Sequence, residues 1–78
     1  MKLKEAWKKV LKYYAENPGR GITDIEGQSK KIIGGIVQMF EVNGMITYEK
    51  GSNEINTLYD VSNIRLTDKG KRVLAENS

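Results

Sequence analysis

The chain has 78 residues, with 13 Lys and Arg against 10 Asp and Glu, no cysteine and no histidine. That length makes one small domain, near the lower limit at which a hydrophobic core holds without staples. The missing cysteines exclude disulfides and thiolate metal sites, and the missing histidines remove the commonest general base and zinc ligand. A formal net charge of +3 permits contact with nucleic acid without requiring it.

The distribution of charge says more than its total. Residues 1–20 hold six Lys or Arg against two Glu, and residues 41–60 hold one Lys against Glu41, Glu49, Glu54 and Asp60. Arg65, Lys69, Lys71 and Arg72 make the end basic again. The opening MKLKEAWKK carries charge through every turn. It therefore reads as neither a secretory segment nor a membrane span, and the expected compartment is the cytoplasm.

Leu3, Ala6, Trp7, Val10, Leu11 and Tyr14 recur at helical spacing, predicting an amphipathic helix from Lys2 to Glu16. Lys4, Lys8 and Lys12 form a row on its outer face, with Glu5 and Lys9 as an i, i+4 pair. Such a row is ordinarily a solvated face; the sharper reading is a stripe that tracks phosphates. Asn17-Pro18-Gly19 stops the helix, since proline cannot continue it. Thr23-Asp24-Ile25-Glu26 has the spacing of a capping box and predicts a short second helix, with Ile22 and Ile25 facing the core.

The central stretch runs from Ser29 to Ile46. Ile33, Ile36, Val37 and Phe40 fall on one helical face, and Ile32 and Met39 are expected to widen it. Lys31, Gly34, Gly35 and Gln38 fall opposite. Asn43-Gly44 supplies the left-handed residue that ends a helix. Two alternating runs follow, Met45–Lys50 and Ile55–Val61, joined by Gly51-Ser52-Asn53, and they predict a β-hairpin. Ser62-Asn63 reads as a further turn, Ile64–Leu66 as a short third extended piece, and Thr67 as the cap of a last helix. One core is expected to gather Trp7, Val10, Leu11, Ile33, Ile36, Phe40, Leu66 and Leu74.

No catalytic constellation is present in this order of residues, and no cofactor or metal motif, so an enzyme is not expected. Gly34-Gly35 lies inside a helix rather than on a strand-to-helix loop, so it is not a phosphate cradle. Two glycines there cost roughly 1 kcal/mol each relative to alanine. They imply either close approach of the helix backbone to DNA or a partner, or crowding within the monomer. Gln38 has the chemistry to read adenine, and Lys30 and Lys31 to reach guanine or phosphate.

The text FEVNGMI…LYDVSNIRLTDKGKRVLAEN resembles the C-terminal half of many bacterial winged-helix proteins, in which L-x-x-x-G-h-I precedes a hairpin and L-T-x-K-G-x-x-x-L opens the last helix. Leu66-Thr67-Asp68-Lys69-Gly70 and Leu74 carry the second pattern. In spacing the chain is most similar to the small YjcQ-type proteins, which also have a very short second helix. The resemblance implies an α+β fold: a single winged helix-turn-helix domain over residues 1–78, with three helices, a hairpin wing and a C-terminal helix. Winged-helix families such as MarR and PadR are mostly DNA-binding regulators. The expected function is accordingly binding of double-stranded DNA in transcriptional regulation, through Lys30, Lys31, Gly34, Gly35 and Gln38 on the third helix and Lys50, Ser52 and Asn53 at the wing. The alternative is a protein-interaction module on the same scaffold. A homodimer is a further expectation, with Tyr13 of the first helix as its contact.

Overall fold

The computed structural model describes residues 2–51 and 60–78. Its elements are α1 (Glu5–Glu16), α2 (Lys30–Val42), β1 (Ile46–Lys50), β2 (Val61–Leu66) and α3 (Asp68–Glu76). The described residues form a small α+β domain with three helices and one antiparallel pair of strands. Val10, Leu11, Tyr14, Ile33, Val37, Phe40, Met45, Ile46 and Ile64 are essentially without solvent contact. Trp7 lays the edge of its ring on Phe40, with centroids 5.7 Å apart at 82°. Of the expected core, Trp7, Leu66 and Leu74 are only partly buried and pack around its rim.

The helix ends follow from local chemistry. At the end of α1, Asn17 donates from its side chain to the Tyr13 carbonyl oxygen, and Gly19 takes a φ of +91°. At the end of α2, Gly44 sits at a φ of +75°. Its N–H bonds to the Glu41 oxygen at 3.0 Å, and the Met45 N–H bonds to the Phe40 oxygen at 2.9 Å. This is the Schellman arrangement, completed by the burial of both Phe40 and Met45.

The capping-box expectation fails, and the predicted second helix is absent. Ile25 and Gln28 instead exchange two backbone hydrogen bonds, at 3.1 and 2.9 Å, across a two-residue turn. Both central residues have positive φ, Glu26 at +44° and Gly27 at +83°, as a tight type I′ turn requires. A helix needs right-handed backbone at Glu26, so Glu-Gly turned the chain back before a first helical turn closed. Ile25 is nevertheless buried, as expected.

The Ser62-Asn63 turn is likewise corrected. Val61–Leu66 is one continuous strand, registered on β1 as Ile46↔Leu66, Thr47↔Arg65, Glu49↔Ser62 and Lys50↔Val61. Two residues of β2 oppose one of β1 between these pairs, and Asn63, at a φ of +54°, absorbs the extra residue as a β-bulge. The other edge of β2 is also used. Ile64 donates to the Arg20 oxygen and accepts from the Gly19 N–H, each at 2.9 Å.

The Leu66–Gly70 motif fastens α3 to the end of α2. Thr67 accepts from the Gly70 N–H at 3.1 Å, while its hydroxyl donates to the Gly44 oxygen at 2.6 Å. Lys69 Nζ donates to the Asn43 oxygen at 2.8 Å, placing a cation at the negative end of α2. A Cβ at Gly70 would run into the carbonyl oxygen of Met45, so the motif's glycine permits the close approach of α3 to the start of β1.

Candidate functional site

The helix α2 has two faces with different fates. Ile33, Gly34, Ile36, Val37 and Phe40 are buried. Gly34 was expected outward and lies inward instead, beside Ile22 and Val61 at the edge of the sheet. Gly35 is different: half-buried, with nothing within 4 Å of the position a Cβ would take.

Ile32 and Met39, expected to widen the buried arc, face solvent. Ile32 is 53% exposed, Met39 46% and Val42 73%. The core side of the helix packs on α1 and β1, and among the described elements none is packed on the other side. With Gly35, these residues make an outward stripe at positions 32, 35, 39 and 42. Spacings of three, four and three residues keep them on one line of a helix.

The predicted DNA-contact residues fall into separate groups. Lys30 and Lys31 are exposed at the start of α2, after Ser29, whose side chain makes no capping hydrogen bond. Gln38 and Lys50 come together with Tyr48, Val37 and Gly34 around a small cleft of about 40 Å³ between α2 and β1. Tyr48 there is held above the usual tyrosine range, first by its burial and then by the neighbouring Glu41 carboxylate. Ser52 and Asn53 lie outside the described residues, as do Ile55, Thr57 and Tyr59 of the second predicted run.

The lysine row of α1 is a mixed-charge face. Lys8 pairs with Glu5 at 3.3 Å, in place of the expected Glu5–Lys9 pair, and Lys9 reaches Glu26 at 3.7 Å. Exposed pairs of this kind contribute about 0.2–1 kcal/mol at most. With Glu16 they interrupt the positive row along the groove between α1 and α3. Tyr13, the expected dimer contact, is half-buried and stacks edge-on against Tyr14, with centroids 5.0 Å apart.

Sequence reasoning missed the outward stripe, although its signal was present. Counted from Ile32, the apolar residues of α2 cover well over half of the helix circumference, more than one buried face needs. Among the described residues, no three His, Cys, Asp or Glu are grouped to hold a metal ion, and no helix is long and apolar enough to cross a membrane. Comparison of the chain with protein-family models, with curated proteins and with solved structures gave no match.

Proposed function

We propose that this domain is a protein-interaction module whose docking face is the outward side of α2. The observation that carries this reading is the stripe of Ile32, Met39 and Val42, all about half exposed or more, aligned through Gly35 on a helix whose opposite face is fully used by the core. Isolated exposed apolar side chains are ordinary on a protein surface; three in line, around an open glycine, are the pattern of a contact face. The arrangement of α1, the Arg20 edge bridge, α2, the strand pair and α3 supports the resemblance to winged-helix domains. The scaffold reading is therefore a winged helix with a type I′ turn in place of its second helix.

A specific observation favours a second reading, DNA binding in a small transcriptional regulator. Gln38 and Lys50 line one cleft, and Lys30 and Lys31 stand exposed at the start of the same helix. The two readings divide cleanly in one pair of measurements. Anisotropy of a labelled random duplex at low salt should stay flat up to tens of micromolar protein. A photoreactive benzophenone side chain at position 39 should form protein adducts that Val42→Asp abolishes, while the same group at position 72 on α3 should not. Duplex binding at micromolar protein, weakened by Lys30→Ala with Lys31→Ala, would replace the first reading with the second.

A further inference from the structure

We infer that the occupant of the α2 face is a second copy of this chain, paired through an antiparallel α2–α2′ contact about a twofold axis. The inference rests on the proposed reading of that face as a protein-docking surface and names its partner. Three observations select a copy, and select the antiparallel direction.

The first is shape. A 3-4-3 line of apolar residues is a short heptad seam, which is complementary to itself. An antiparallel pairing centred midway along the line sets Ile32 against Val42′ and Met39 over Gly35′. The open space at Gly35 is where the methionine side chain goes. A parallel pairing would set Gly35 against Gly35′ and leave that space unfilled.

The second is charge along the helix. Lys30 and Lys31 occupy the first turn of α2 with no carboxylate there, and Glu41 lies in the last. This order opposes the helix's own dipole at both ends. Lys69 offsets the C-terminal end by reaching the Asn43 oxygen. Nothing among the described residues offsets the N-terminal end, and Lys31 makes no ion pair there. An antiparallel neighbour brings Glu41′ to Lys31 and its negative helix end to the positive end of α2.

The third is flank geometry. Lys31, Gln38 and Glu41 lie to the same side of the stripe, and in an antiparallel pair related by a twofold axis like flanks face each other. Lys31 and Glu41′ then differ by about two residues along the axis, roughly 3 Å, and because Glu41 stands further round the helix toward Tyr48, the two meet with both side chains extended across the flank.

The seam from Ile32 to Val42 is only about 15 Å long, so the contact belongs with small, weak interfaces. Association is expected in solution between roughly 10 μM and 1 mM. Sedimentation equilibrium over that range should show the average mass rising from 8.8 kDa toward twice that value. Lys31→Glu alone and Glu41→Lys alone should each weaken association about tenfold, since each turns two attractive contacts per dimer into repulsive ones. An equimolar mixture of the two variants should restore it, because each chain then supplies the charge the other lacks. Both positions are exposed, and circular dichroism should show unchanged helix content.

A constant mass of 8.8 kDa across the range overturns the inference. So do single variants that associate like the parent, or a mixture that fails to recover. If the protein stays monomeric while benzophenone at position 39 still forms stripe-dependent protein adducts, the docking face stands and the second copy does not. If no protein adduct forms there, the broader reading fails as well.

Discussion

Two glycines inside helices make opposite predictions under the same substitution. In α2, a Cβ at Gly35 would meet nothing within 4 Å. Replacing a helix-interior glycine by alanine relieves about 0.8–1 kcal/mol of backbone cost. With little packing gained or lost, Gly35→Ala should stabilise the monomer by about 0.5–1 kcal/mol, a rise in Tm of roughly 2–8 °C for a domain of this size. In α3, a Cβ at Gly70 would strike the Met45 carbonyl oxygen, with Leu66 Cγ at 3.3 Å on its other side. The obstacle is backbone, held by the Thr67 N–H to Met45 oxygen bond at 3.0 Å, so it cannot swing aside as a side chain would. Overpacking of this kind costs about 1–3 kcal/mol or more. Even after the same propensity gain, Gly70→Ala should destabilise by about 1–2 kcal/mol. Urea denaturation followed through Trp7, the one tryptophan, at a protein concentration too low for association, measures both. A destabilised Gly35→Ala would mean the outer side of α2 is covered within the monomer. A neutral Gly70→Ala would mean α3 does not press on the start of β1 as described.

Phe40 is wholly buried and carries the Trp7 contact, so Phe40→Ala should cost about 3–5 kcal/mol, enough to unfold most of so small a domain; a nearly unchanged urea midpoint would be incompatible with this core. Tyr14 is fully buried, with its hydroxyl donating to the Gly21 oxygen at 2.8 Å. Burial above all, then the adjacent Tyr13, pushes its pKa up to about 12 against the opposing pull of a hydrogen bond with the Thr23 backbone. The unfolded chain ionises near pH 10 and the folded one two units later, so stability is full below pH 10 and falls as pH rises through 12, by about 2–3 kcal/mol from this group. Tyr14→Phe should start less stable by about 1 kcal/mol and lose that share of the alkaline fall; parallel pH–stability curves for the two proteins would refute the assignment. Ile32→Ser with Met39→Ser should lower stability by only about 1–2 kcal/mol while abolishing contact through α2, since about half of each side chain already faces water.

Most of the fold was legible because its signals are local. The apolar period of α1, the Asn43-Gly44 stop and the Thr67 cap each name a backbone conformation that nearby residues enforce, and the structure has all three. The errors came where one local signal had two outcomes. Thr23-x-x-Glu26 fits a capping box, but Glu26-Gly27 also fits a type I′ turn, and the reach of Ile25 to Gln28 decided the matter. Ser62-Asn63 fits a turn, yet β2 is bonded along both edges, and that pairing turned Asn63 into a bulge. The candidate site was less legible for a different reason. Periodicity says which residues are apolar on α2, but not how many of them a 78-residue core has room to cover. The chemistry of Ile32 and Met39 points inward, and only the packing shows the core already filled by Ile33, Ile36, Val37 and Phe40.

That surplus of apolar side chains bears directly on the choice between the two proposed partners of α2. A helix entering a major groove faces base edges, phosphates and ordered water, and only the thymine methyl rewards an apolar group there. Ile32, Met39 and Val42 would be set against polar surface for little return, and the polar residues suited to readout, Lys31 and Gln38, stand to one side of the stripe. Against another helix the same three side chains give up water on both partners, and the Gly35 gap lets the backbones close around Met39. Pairing through this face also covers Lys31 and crowds Gln38, so it competes with nucleic acid for the same helix. The two contacts are mutually exclusive, and the composition of the outward face favours the helix.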